Sequence, residues 1–216
     1  MKKCVDLTHG ITSGMPVFPG DPMVEITTHL NYREDGCRVS RWVLGSHTGT
    51  HMDAPSHFIP GASSLDMYDV NRFFRRGVVV DVSHLAPDAA IEPGHLEASL
   101  KIACPGDFLV LYTGWDRYWG HPLYDRHPHL SLAGASLLVA SGISLVGIDA
   151  PDIEKAPGGD YPVHHCLLHH DCLIVENLTN LRQISETVGL FTFLPLSVEA
   201  ADGSPVRAIY MPVTGA

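Results

Sequence analysis

The chain has 216 residues, 45% of them hydrophobic and 18% charged, with a formal net charge of -10, a balance that suits one compact domain spanning 1–216. That charge argues against a nucleic-acid surface, and the one basic knot, Arg72 with Arg75 and Arg76, reads as a solvated turn. No apolar run approaches the ~20 residues of a membrane helix, and five cysteines without a C-x-x-C pair argue against a disulfide framework. The expected compartment is therefore reducing, the cytoplasm. MKKCVDLTHGI offers no signal-peptide core, so export is not expected and the sequon Asn177-Leu178-Thr179 stays idle.

In chain order, the first sixty residues are rich in Pro and Gly, and GMPVFPGDP at 14–22 can form neither a ladder nor a helix. They read as loop and edge strands over a site, with VEITTHL at 24–30 the first strand-length segment. GVVVDV at 77–82 is the next strand, followed by a helix over PGHLEASL at 93–100 and a strand over DFLVLYT at 107–113. SLAGASLLVASG at 131–142 predicts a helix with Ser131 as N-cap and Gly142 as its stop. A strand over ISLVGID at 143–149, a short helix over VHHCLLHH at 163–170 and a strand over CLIVEN at 172–177 follow. Two more strands, GLFTFLPL at 189–196 and VRAIYMPV at 206–213, complete the plan. The alternation from 107 to 177 predicts an α/β fold with a mixed sheet core and some parallel pairing. There is no internal repeat or linker.

Fourteen histidines are the anomaly, and HTGTHMDAPSH at 47–57 concentrates them. His47 and His51 have the spacing of a helical zinc-protease motif, but Thr48-Gly49-Thr50 is a weak helix former, Pro55 follows, and no Glu succeeds His47. A turn leading into a short extended segment fits better, with His51 and Asp53 on one side. Two imidazoles and a carboxylate then converge as the open ligand set for zinc or manganese. The alternative, a polar loop that binds nothing, leaves four such groups opposing one another's protonation without a shared cation.

A second cluster lies in VHHCLLHHDCLIVEN. A helix of about eight residues runs roughly 12 Å, and a returning strand of about four residues covers a similar distance. His164 and Glu176 can therefore meet as neighbours. Alone, they would read as a helix-start histidine and a strand-end carboxylate.

HTGTHMDAPSHF at 47–58 resembles the signature of the metal-dependent cyclase family, which includes bacterial kynurenine formamidases and isatin hydrolases. VDLTHGITSGMPVFPGDP, LVLYTGWD, VGIDAPDIE and YPVHHCLLHHDCLIVENL extend the likeness along the chain. The resemblance implies that His47, His51 and Asp53 ligate one metal, that His164 and Glu176 complete a second or shared site, and that His57 is the catalytic histidine. It also implies a swivelling β/β/α-type fold, usually in a homodimer or higher homo-oligomer.

On chemistry alone, a metal-bound hydroxide is the nucleophile, and His57, four residues past Asp53 and beyond Pro55, can take the water proton and return it to a leaving amine. This predicts a hydrolase of a small amide. The family points first to aryl formamides of the N-formylkynurenine type and second to cyclic amides or lactones. A non-catalytic metal-binding member is the reading from another class, in which His57 would have no purpose. Phe18, Phe58 and Trp115, with Trp42 and Tyr118, are candidates for a wall that holds an aryl ring. Cys166 and Cys172 read as buried small hydrophobes rather than ligands. Asp152 stands where a small polar residue is expected, and facing the pocket it would repel a substrate carboxylate.

Overall fold

The computed structural model describes residues 3–155 and 159–213. In chain order the elements are strands β1 (Val5–Asp6) and β2 (Glu25–Leu30), a one-turn helix α1 (Tyr32–Asp35), β3 (Val39–Val43), β4 (His51–Asp53), β5 (Phe74–Asp81) and β6 (Ala90–Ile91). They continue with α2 (Pro93–Leu100), β7 (Phe108–Tyr112), β8 (His129–Leu130), α3 (Leu132–Ala140), β9 (Leu145–Ile148), α4 (Pro162–His169), β10 (Leu173–Glu176), β11 (Val188–Pro195) and β12 (Gly203–Pro212).

Eight strands form one mixed sheet in the order β1-β12-β11-β5-β7-β9-β10-β4, parallel from β5 to β10 and antiparallel elsewhere. β4 also pairs with β12, through Asp53 opposite Gly203 and His51 opposite Pro205, so the circuit of strands closes. Closure is written in the side-chain period of two. On β7, Leu109 and Leu111 pack with the helices, whereas Phe108 and Val110 pack into the space the strands enclose. β10 repeats the division, with Ile174 on the helix side and Leu173 and Val175 on the enclosed side. Burial on both faces explains why these strands read as unbroken apolar runs.

The outer layer is helical. Leu96 of α2, Ala135 and Leu138 of α3, and Val163, Leu167 and Leu168 of α4 cover one face of the sheet. The Ser131 side chain accepts from the Gly134 N–H at 3.0 Å, and Gly142, with φ 73°, ends α3. Cys172 is fully buried in this layer and Cys166 packs against it, as small hydrophobes. β2 and β3 form a separate hairpin that leaves Trp42 69% exposed. Among the described residues, no helix is long and apolar enough to cross a membrane.

Candidate metal centre

The centre is built first on β4. Met52 points into the enclosed core with no exposed surface, so the alternation of the strand turns His51 and Asp53 together to the other face. β10 then sets the partner: His51 is paired directly with Glu176 in the antiparallel register. Their side chains meet, with His51 Nε2 3.5 Å from Glu176 Oε2 and 3.3 Å from Asp53 Oδ1. α4, which precedes β10 and covers it, brings His164 Nε2 to 3.5 Å from Glu176 Oε1 and 3.7 Å from Asp53 Oδ2. His47 Nδ1 lies 2.8 Å from Asp53 Oδ1. The five expected donors thus form two trios that share Asp53: His47 with His51, and His164 with Glu176.

Four of the five donors are aimed by a partner outside the cluster, Asp53 being held by the histidines themselves. His51 donates from Nδ1 to the Gly49 carbonyl at 2.8 Å, leaving Nε2 free to ligate, and His164 donates from Nδ1 to Glu154 at 2.8 Å with the same result. Glu154 also accepts the Val163 and His164 N–H groups at 2.8 and 3.3 Å, which ties the start of α4 to the donor it carries. Glu176 accepts the Ile153 N–H at 2.7 Å. His47 lies over Gly203, where a Cβ would stand 2.4 Å from the ring's Cε1, and its Nε2 lies 3.2 Å from Asp202 Oδ2. Glu154, Asp202 and Gly203 were not read from the sequence. Glu154 had a signal, a carboxylate ten residues before a helix-start histidine; Asp202 and Gly203 depend on a strand pairing across some 150 residues.

His57 stands beside this cluster on a 3-10 turn, Pro55–His57, whose proline opens the turn. Its ring lies 3.9 Å from that of His47, and its Nδ1 lies 3.5 Å from Asp202 Oδ2. Together these three make a further trio within ligand reach on the more exposed side. Burial lowers the His57 pKa and favours the neutral ring that can accept a proton. His47 differs: burial opposes its charge, yet hydrogen bonds and charge from Asp53 and Asp202 prevail and raise it to about 9. Asp53 is likewise buried, and His47 and His51 hold it well below the usual carboxylate range.

The cluster floors a cavity of about 450 Å³. Phe18 and Phe58 line it as expected, and the Pro- and Gly-rich segment 16–21 forms one wall. Asp152 faces the same space; burial, then the charge of Glu176, push its carboxyl up to about 7. Trp115 corrects the expectation: it is 2% exposed, donates from Nε1 to the Leu123 carbonyl and packs in the helix-side core. Trp115 follows the left-handed Gly114, and Trp119, stacked on His9 at 4.0 Å, takes its place on the wall with Tyr124 and Tyr161. Trp42 and Tyr118 also lie off the wall.

The donor chemistry fits a divalent cation. Five donors converge, four of them held from outside the cluster, and Asp53, Glu176 and Asp152 face one space with no Lys or Arg among its described lining residues. The Cyclase family profile, described as "Putative cyclase", matches residues 5–155. The chain belongs to the cyclase family. Within it, the chain is similar to the kynurenine formamidase of Bacillus anthracis, at 30% identity over 98% of both chains. It is also similar to an isatin hydrolase structure bound to the product analogue thioisatinate, at 26% identity, with a TM-score of 0.88 over 97% of this chain and 92% of that one. A potential metal-dependent hydrolase with cyclase activity matches at 27% identity and a TM-score of 0.80 over 96% of both chains.

Proposed function

We propose that the chain is a metal-dependent hydrolase of a small amide, with aryl formamides of the N-formylkynurenine type as its first substrate class. The observation that carries this reading is five converging donors with a neutral-favouring histidine beside them. Full-length likeness to kynurenine formamidases supports the formamide C–N bond as the one attacked. A divalent cation held by His47, His51, Asp53, His164 and Glu176, zinc or manganese as one or two ions, would polarise the carbonyl and lower the pKa of a water.

His57 takes the proton from the attacking water and returns it to the leaving nitrogen. Asp202, at 3.5 Å, orients its ring from behind, and Phe58 packs against it edge to face at 4.5 Å. Phe18, Phe58 and Trp119 hold the aryl ring between apolar faces. Trp42 and Ile26, exposed on the hairpin, support a homodimer or higher oligomer, and the reading places the enzyme in the cytoplasm.

A second reading, opening of a cyclic amide such as isatin, is favoured by the likeness to the isatin hydrolase fold. Both are tested by supplying N-formylkynurenine and isatin to metal-reconstituted protein while metal stoichiometry is measured on the same sample. Formate release with one or two ions per chain is expected. Bound metal with neither substrate touched would sink both substrate assignments, and turnover indifferent to a chelator would sink the metal.

A further inference from the structure

The charge around the cavity narrows the substrate further, and this step rests on the hydrolase reading above. Beyond the ligand carboxylates Asp53 and Glu176, whose charge a divalent cation would offset, the cavity is lined by Asp21, Asp125 and Asp152. No lysine or arginine faces them among the described lining residues. Four acids outside the cavity pair with an arginine: Asp6 with Arg207, Asp88 with Arg126, Asp107 with Arg76 and Asp171 with Arg72. Asp21 and Asp125 line the cavity outside the three donor trios, and neither is in an ion pair with an arginine or lysine among the described residues. Asp152 is 4% exposed, and one oxygen already accepts the Glu154 N–H at 2.7 Å, which fixes the carboxyl in the wall. The same wall carries Tyr161, whose ring face favours a cation.

We propose that the cavity selects an aryl amide whose side chain ends in an ammonium group, and disfavours one ending in a carboxylate, through Asp21 and Asp125. Like charge across a partly desolvated cavity opposes entry, and opposite charge both steers and holds the substrate. N-formylkynurenine carries both groups and ranks between the extremes.

The test uses three aryl formamides of equal length, 3-(2-formamidophenyl)propylamine, the corresponding propanamide and the corresponding propanoate, with metal-loaded full-length protein. The expected order of kcat/KM is amine, then amide, then propanoate, with about tenfold or more between the ends at low salt. Asp21→Asn with Asp125→Asn compresses that ratio, and so does salt. Binding of the three deformylated anilines, followed by tryptophan fluorescence, must show the same order. Equal affinities, or a preference for the propanoate that survives in the double variant, would overturn the charge selection. If no formamide is cleaved, the formamidase reading falls, and the aniline binding order alone decides the proposal.

Discussion

The donor cluster and the cavity rim are built by different means. His51, Asp53 and Glu176 stand on short buried strands locked by backbone pairing on both sides, and His164 is held by Glu154 at the start of a packed helix. The rim is made of the loop at 16–21, the turns that carry Trp119 and Asp125, and Tyr161, the last held at φ 47° just before Pro162. In the proposed enzyme, reaction chemistry would therefore sit on register, where one residue of slip turns the strand-borne donors away, and substrate choice on loops that can vary without disturbing it.

Five measurements would break or sharpen that contrast. Asp53→Ala removes the carboxylate both trios share; bound metal is lost and turnover falls by more than about 10⁴-fold, beyond what one proton-transfer group supplies. Full metal retention by elemental analysis would remove Asp53 from the ligand set. His57→Ala keeps the metal and loses ~10²- to 10⁴-fold in kcat, and a near wild-type rate would end its acid–base role. Gly203→Ala forces a Cβ into the His47 ring and weakens metal affinity by roughly 10- to 100-fold, read by chelator competition. Unchanged affinity would show that His47 does not depend on this close approach.

The fourth measurement is a pH series on metal-free protein. His47 is raised from its usual 6.5 to about 9, so its protonated ring stabilises the fold fully below pH 6.5, and that contribution is lost as pH rises through 9. The loss is on the order of 3 kcal/mol, seen as a falling Tm. Metal affinity runs the other way, because ligation needs the neutral ring. A flat Tm between pH 6.5 and 9 would contradict the pairing of His47 with Asp53 and Asp202. The smallest effect belongs to the rim: Phe18→Ala raises KM by roughly threefold to tenfold with metal stoichiometry unchanged. A loss of metal there would erase the distinction between rim and cluster.

What could be read from the sequence follows the same line. Local signals reached the principal strands, the three longer helices and the pairing of His51 with Asp53, because alternation and capping act over a few residues. The meeting of His164 and Glu176 was legible because a helix and a returning strand of matched length must bring their ends together. The contacts of Asp202 and Gly203 were not, since nothing local announces that β12 lies against β4. Trp115 and Trp119 are separated by one turn that follows the left-handed Gly114, and nothing in their local sequence says which indole reaches the cavity.

The closed circuit of strands also fixes when the centre can come into being. β4 is only three residues long and is flanked by residues 173–176 on one side and 203–205 on the other. During synthesis, His47, His51 and Asp53 emerge early but have no lattice to settle into until the segment through residue 205 has left the ribosome. In the proposed metal enzyme the donor set is complete only once β12 lies against β4, and capture of an ion would belong to the last stage of folding.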